Sequence, residues 1–309
     1  MTELKAGVIG AGVFGRHHAK KYIADARTQL IGLYDPVAEN AEASAAEHGA
    51  KAFNHLGELI DAVDVMTVAS PAVTHYAVAR AALDAGVHVL TEKPLAVRAA
   101  DGADLVELAK TNNLVLACGH QERLVFNAMG LFAAGERPLS IESVREGTWS
   151  GRGTDVSATL DLMTHDLDLA LTLLGTELET VEASGETPYG PTPDLINARL
   201  VFVSGAEATF RANRAAPERK RTMRIVYPSG EVRIDFLERT FENTTALSLN
   251  PNFTETPDGK DPLGANVSRF ISAVTGEAPR PAVTGEEALK ALELALRIDA
   301  AAAGLPSIK

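Results

Sequence analysis

Cysteine is nearly missing from this 309-residue chain. Cys118 stands alone, which excludes an internal disulfide and fits a reducing compartment, where a buried free thiol is the ordinary state. Long apolar runs are missing too: nothing approaches 18 consecutive apolar residues, so no membrane span is expected. Met1 to Lys5 carries an acid and leads into a short glycine-rich stretch followed by Arg16, His17 and His18, which is not a secretion signal. A cytoplasmic protein is expected. Positive charge is scarce, with 29 Lys and Arg against 41 Asp and Glu, a formal net charge of −12. That balance argues against a nucleic-acid partner, although local amides and a few arginines still suffice for an anionic nucleotide. No repeat or low-complexity tract appears, and no second histidine or cysteine stands at ligand spacing, so no metal is expected.

What the chain has is material for two cores: 46% of its residues are hydrophobic, and its length favours two domains. The organising stretch is KAGVIGAGVFG, Lys5 to Gly15. Ala6 to Ile9 reads as a buried strand that passes into Gly10, Gly12 and Gly15, and Arg16 to Ala24 can be helical. In a GxGxxG turn the first glycine permits the tight turn, the second clears the backbone for a pyrophosphate, and the third lets helix and strand pack closely. The phosphates would sit at the amide end of the helix dipole. A second apolar run, Leu30 to Tyr34, ends in Asp35, 20 residues beyond Gly15. An acid there accepts from ribose hydroxyls and repels a 2′-phosphate, so NAD is expected over NADP. The bland alternative is a doubly wound domain whose first turn binds nothing.

Up to about Gly119 short β-type runs alternate with helical segments, implying parallel strands with crossover helices. Strands are expected at Val63 to Ala69, Val87 to Leu90 and Leu114 to Cys118, and helices near Val37 to His48, Thr74 to Asp84 and Arg98 to Thr111. Beyond Gly119 one helix, Asp155 to Leu174 closed by Gly175, precedes strands expected at Val181 to Gly185, Leu195 to Val203, Ala206 to Arg214, Lys220 to Tyr227 and Val232 to Phe236. Ser204-Gly205 and Pro228-Ser229-Gly230 supply turns, so this sheet is expected to be mostly antiparallel. Helices near Pro262 to Val274 and Glu286 to Ala303 close the chain. The expectation is an α/β protein: a doubly wound parallel-sheet NAD-binding domain over residues 1–119, then an α+β substrate and oligomerisation domain over 120–309, with the C-terminal helix free to pack back on the first. An open sheet needs its second face covered, so pairing with another subunit is expected.

Two further stretches could carry chemistry. VLTEKPLA stands at the expected carboxyl end of a strand, where ligands bind in open α/β sheets, so Lys93 could donate to a substrate hydroxyl and stabilise a developing alkoxide. A solvated loop lysine is the alternative. In TLDLMTHDLDLALTLLG, Asp161 and His165 are four apart and share a helix face with Asp168, while Leu160, Met163, Leu167, Leu171 and Leu174 form an apolar stripe. Alcohol oxidation needs a base for the hydroxyl proton, a role for His165, with Asp161 orienting the imidazole or binding a neighbouring hydroxyl. A solvated face, an intrahelical structural pair and a metal site are the competing readings.

With these segments in place the chain resembles the Gfo/Idh/MocA family of NAD(P)-dependent sugar oxidoreductases over its full length. The resemblance is carried by GVIGAGVFG, SPAVTH at Ser70 to His75, GVHVLTEKPLA at Gly86 to Ala96, DLMTHDLD at Asp161 to Asp168 and the closing helices. It implies a Rossmann domain, a second domain with a large open sheet, homodimers or homotetramers through that sheet, and Lys93, Asp161 and His165 as the catalytic trio. Cofactor contacts are implied for Gly10, Gly12, Val13, Phe14, Gly15, Asp35, Ser70, Pro71, His75, Glu92 and Lys93. One departure is Ala72, where the family carries an asparagine. GHQERLVFNA, Gly119 to Ala128, is similar to a segment of members acting on UDP-N-acetylhexosamines, with longer spacing and no proline. It adds His120, Glu122 and Arg123 as substrate-binding residues beside Lys93, Asp161 and His165. NRAAPERKRTMRIVYPSGEVRIDF looks like the sheet segment of UDP-N-acetylglucosamine 3-dehydrogenases. Its arginines, with Arg211, Arg214, Arg219, Arg221 and Arg224, suit a diphosphate-bearing substrate; strand-edge or subunit ion pairs are the alternative. The expected activity is oxidation of a secondary sugar hydroxyl, the 3-hydroxyl of a UDP-N-acetylhexosamine foremost, with hydride transfer to NAD. Rivals are a dehydrogenase of a free sugar or cyclitol, an NAD-retaining glycoside-cleaving enzyme, and a non-catalytic NAD- and sugar-sensing regulator.

Overall fold

Short, nearly all-apolar strands alternate with helices from the start of the chain, and the central ones are buried on both faces, as parallel strands flanked by crossover helices must be. A computed structural model describes residues 3–151 and 153–304; the outermost residues of both expected domains lie outside the described residues. The elements run β1 (Leu4–Ile9), α1 (Val13–Ala24), β2 (Thr28–Tyr34), α2 (Ala38–His48), β3 (Lys51–Phe53), α3 (Leu56–Ile60), β4 (Val65–Val68), α4 (His75–Asp84), β5 (His88–Thr91), α5 (Ala99–Thr111) and β6 (Leu116–Cys118). The six strands pair in parallel in the order β3-β2-β1-β4-β5-β6, that of a doubly wound sheet with its reversal between β1 and β4. Helix α1 buries Gly15, His18, Ala19 and Tyr22, one stripe at helical spacing. Of these elements, β3 and α3, three and five residues long, escaped the sequence reading; they are too short to show a period.

Then follow α6 (Glu122–Met129), β7 (Ser140–Glu146), a π-helical turn at Thr159–Met163, α7 (Thr164–Leu174), β8 (Leu178–Glu186), β9 (Leu195–Phe202), β10 (Glu207–Asn213), β11 (Lys220–Tyr227), β12 (Gly230–Asp235), β13 (Thr240–Asn243) and α8 (Pro257–Lys260). The last two helices are α9 (Pro262–Val274) and α10 (Gly285–Ala302). Seven strands form the second sheet in the order β13-β12-β11-β7-β10-β9-β8. Every pair is antiparallel except β7 with β10. The chain divides into two units, Met1–Gln121 with Asp261–Leu289, and Glu122–Lys260 with Lys290–Lys309.

Two sequence expectations for the second unit need correction. The helix expected from Asp155 begins at Thr159, and its first turn is π rather than α. Ser157 explains the late start: its hydroxyl accepts from the Leu160 amide at 3.2 Å and donates to Asp299 at 2.6 Å, so the preceding backbone is fixed by side-chain bonds instead of helical ones. Strand β7, absent from the sequence reading, is the centre of the sheet, between β11 and β10. Its burial alternates, with Ile141, Ser143 and Arg145 buried and Glu142 exposed. A serine and an arginine at two of three core-facing positions hide the apolar alternation that identifies strands.

Candidate active site

The glycine turn is tight at each expected point. Gly10 has φ +89, and a Cβ there would lie 2.6 Å from the Ala69 carbonyl oxygen and 2.7 Å from the Ser70 nitrogen, at the end of β4. A methyl group on Gly15 would overlap the Gly10 carbonyl oxygen, whereas one on Gly12 would meet nothing within 4 Å. Close packing thus requires Gly10 and Gly15, and the space over Gly12 is open to a ligand. Val13 and Phe14, at the start of α1, are about half exposed. The Asp35 carboxylate accepts from the Ala11 amide at 2.8 Å through Oδ2 and from the Val37 amide at 2.9 Å through Oδ1. It is fixed against the turn, at the place where a dinucleotide presents its ribose. These residues fit NAD.

The segment after β5 is held by histidines. Lys93-Pro94 is a cis peptide. His75, 1% exposed, sets Nδ1 2.7 Å from the Pro94 carbonyl oxygen and Nε2 2.8 Å from that of Ser70. It ties the two loops together from below, and burial pulls its pKa down despite those carbonyls. The Ser70 hydroxyl lies 2.7 Å from that of Thr74, and Pro71 caps the short turn that follows. Glu92 is buried, with Oε1 2.7 Å from Nε2 of the fully buried His18. The other ring nitrogen of His18 is 3.4 Å from Thr67 Oγ1, which is itself 2.9 Å from the Tyr22 hydroxyl. His18 was missed in the sequence because its neighbours in this network come from three separate segments. His120 is buried in the same unit, and Cys118 is a buried free thiol.

In the second unit the chemistry gathers on α6, β7 and α7. His165 Nδ1 lies 2.7 Å from Glu122 Oε2, and Arg145 reaches the other oxygen of Glu122 at 3.1 Å. Arg145 also makes a two-pronged pair with Asp166, at 3.0 and 2.7 Å. Burial pushes the Glu122 carboxyl up, but the charges of His165 and Arg145 override it and hold it well below the usual carboxylate range. Burial opposes the Arg145 charge, and Asp166 and Glu122 more than restore it. Arg123 forms a second two-pronged pair with Asp168, 2.7 Å on each arm. The polar side of α7 is therefore not solvated: Asp166 and Asp168 are 2% and 1% exposed, each matched to an arginine. Asp161 lies on the π turn with Gly153 against its carboxylate, where a Cβ would come within 2.5 Å of Oδ2. The carboxylate on His165 Nδ1 is Glu122, a residue the sequence reading assigned to substrate, and Arg123 faces Asp168.

The arginine surface expected over β10 and β11 divides. Arg214 is buried on Asp194 at 2.7 Å, Arg211 pairs with Glu146 at 2.7 Å, and Arg224 pairs with Glu231 at 2.6 Å. Of the five, Arg219 is exposed and Arg221 half-buried, without a carboxylate partner of this kind among the described residues. Among the described residues no three His, Cys, Asp or Glu side chains group as metal ligands do, and no helix is long and apolar enough to cross a membrane.

A parallel sheet with this reversal, a glycine turn at it and an acid clamped to that turn define a dinucleotide-binding protein. An imidazole fixed on a half-buried carboxylate gives the same chain a candidate proton acceptor. The model of an oxidoreductase family with an NAD-binding Rossmann fold matches residues 4–120, and that of the GFO/IDH/MocA C-terminal domain matches residues 135–233. The chain belongs to the Gfo/Idh/MocA family of oxidoreductases, and its cofactor is NAD. Family, fold class and cofactor are those expected from the sequence.

The chain is 34% identical over 287 residues to the UDP-N-acetylglucosamine 3-dehydrogenase of Acidithiobacillus ferrooxidans, covering 90% of this chain and 91% of that one. A solved structure of that enzyme superposes with a TM-score of 0.86 at 33% identity, over 99% of this chain and all of the other. The myo-inositol 2-dehydrogenase of Thermotoga maritima is 28% identical over 332 residues, 94% of each chain. The fold is shared by the WlbA dehydrogenase of Bordetella pertussis, solved with NADH and UDP-GlcNAcA, at a TM-score of 0.85 and 21% identity over 98% of this chain and 96% of that one.

Proposed function

We propose that this protein oxidises a secondary hydroxyl of a sugar, the 3-hydroxyl of a UDP-N-acetylhexosamine, to a ketone. The observation that carries the reading is the His165–Glu122 pair, 2.7 Å apart, in a chain of an NAD-binding oxidoreductase family. The nucleotide-sugar specificity is supported by the 34% identity to a UDP-N-acetylglucosamine 3-dehydrogenase over 90% of this chain.

When bound, NAD supplies the acceptor for the hydride that leaves the carbinol carbon. Gly10, Gly12 and Gly15 with Val13 and Phe14 would hold the pyrophosphate segment, and Asp35 would receive the adenosine ribose hydroxyls. Ser70 and Pro71 would serve its nicotinamide half, with His75 and Glu92 holding those loops in place. Lys93 donates to the substrate oxygen and stabilises the charge that grows there as its proton leaves. His165 takes that proton. With Nδ1 held 2.7 Å from the anionic Glu122, the Nε2 lone pair is the base, and the carboxylate stabilises the imidazolium that forms. Asp161 and His120 bind neighbouring hydroxyls. The C–H and O–H bonds of the alcohol break, and a C=O bond forms.

Subunits associate through the open face of the second sheet, where Glu142, Asn197, Thr209 and Arg211 line a broad groove. The protein works in the cytoplasm, in keeping with its one buried thiol.

The test is incubation of the full-length protein with NAD and a panel of UDP-N-acetylglucosamine, UDP-N-acetylgalactosamine, free N-acetylglucosamine, glucose and myo-inositol, reading NADH absorbance and product mass. NADH with a product two mass units lighter from a UDP-N-acetylhexosamine supports the proposal. Turnover of inositol or a free sugar alone overturns it in favour of the cyclitol or free-sugar reading, which the relative from Thermotoga maritima recommends. A second expectation concerns Asp35. Its replacement by serine removes charge-assisted bonds of about 1.5–3 kcal/mol, so the NAD Kd should rise about 10- to 100-fold while the NADP Kd does not rise, as measured by nucleotide titration.

A further inference from the structure

Sheet parity sorts the arginines of β10 and β11 into those that can serve the His165 cluster and those that cannot. On β7, Ile141, Ser143 and Arg145 point to the covered face, and Arg145 carries Glu122 and Asp166 there. On β11 the buried positions are Met223, Ile225 and Tyr227, and Arg221 has the same parity. Arg224 has the opposite parity and pairs with Glu142 and Glu231. Arg211 pairs across the open face with Glu146 and Asn197. Of the strand arginines expected to serve a diphosphate, Arg221 alone shares a face with Arg145.

It does so at close quarters. Arg221 and Arg145 are direct cross-strand partners in the β11–β7 register, and like charges placed directly opposite repel. Arg145 is fully engaged by Asp166 and Glu122, and its guanidinium lies 5.5 Å above the Phe236 ring, whose own amide bonds the Arg221 carbonyl. Arg221 Nε is buried with no hydrogen-bond partner among the described residues. Burial first and then the Arg145 charge work against its protonation, and the nearby Glu122 and Asp166 carboxylates offset them only in part. Arg219, two residues before it, adds a further exposed positive charge. A buried donor beside a like charge is costly unless something supplies the missing acceptor.

We infer that Arg221 is the anion-recognition residue of the substrate site, its guanidinium binding a phosphate or carboxylate oxygen carried by the sugar. A planar fork suits two oxygens of such a group. The inference rests on the sugar-dehydrogenase reading above and adds to it which residue selects the substrate's acidic group.

The experiment measures binding without turnover. Full-length wild type and the variants Arg221→Met, Arg221→Lys and Arg219→Met are titrated calorimetrically, with NAD present, against UDP, inorganic pyrophosphate, glucuronate and uncharged N-acetylglucosamine. Wild type should bind at least one anion, and Arg221→Met should weaken it about 10- to 100-fold. Arg221→Lys should recover part of the loss, Arg219→Met should change it less than threefold, and NAD and N-acetylglucosamine affinities should hold. UDP or pyrophosphate as the bound probe assigns a phosphate, and glucuronate assigns a carboxylate; either supports the inference. Unchanged anion affinity in both Arg221 variants, or an equal loss of NAD affinity, overturns it. If no sugar of the panel yields NADH yet Arg221 controls anion binding, the activity proposal fails and the anion site stands.

Discussion

Replacing His165 with alanine is expected to lower kcat by about 10²- to 10⁴-fold, the usual worth of a positioned general base, while the NAD Kd changes less than twofold. The second half follows from location, because the residues fitted to NAD belong to the first unit and His165 to the second. Glu122→Gln provides the internal comparison. It keeps a hydrogen-bonding group near Nδ1, 2.7 Å away in the native chain, but removes the negative charge that stabilises the imidazolium, so kcat should fall about 10- to 100-fold with little change in KM. Steady-state kinetics on the substrate found by the panel measure both. A His165→Ala enzyme retaining more than a tenth of the wild-type kcat would remove the imidazole from the chemistry.

Arg145→Met is expected to be the most destabilising single change in the second unit, by about 3–5 kcal/mol, because removing one member of a buried charge set leaves its partners uncompensated. Arg145 and Asp166 are 3% and 2% exposed, and the loss also frees the Glu122 oxygen it held at 3.1 Å. Methionine retains most of the stem's packing, so the measured cost is chiefly electrostatic. The pH dependence has a definite sign. In the folded wild type the Glu122 carboxyl sits well below its ordinary value of about 4.5, so its contribution is full above that value and is lost as pH falls through the folded-state pKa. Without Arg145 one of the charges holding it down is gone and the contribution shrinks. The difference between wild type and variant should therefore be widest near pH 7 and narrow below about pH 4.5. Urea midpoints across that range measure it; a difference below about 1 kcal/mol at pH 7 would mean the set is not held as described.

The cofactor half of the molecule was legible in the sequence because its determinants are local. Strand, glycine turn and helix lie within twenty residues, and the contacts that demand Gly10 and Gly15 are with the turn itself and with the end of the next strand in the sheet. Spacing carries such information. The second half was legible only where apolar alternation was clean, as in β9 and β11. Strand β7 was invisible because Ser143 and Arg145 occupy its core face, and α6 because Glu122 and Arg123, half-buried and buried, are taken up by ion-pair partners.

The same distinction separates what each level decided. Residue order alone determined the family, the doubly wound sheet, the NAD-binding turn and the candidate trio of Lys93, Asp161 and His165, since each is a pattern of neighbours at fixed spacing. Partner choice among the charged groups was decided only by the tertiary structure. Glu122 and His165 are 43 positions apart, Arg145 and Asp166 come from a strand and a helix, and nothing in spacing says which carboxylate meets which cation. Desolvation makes those pairings specific: a charge carried into the covered face of a sheet must find an opposite one there, and the fold alone determines which one is within reach.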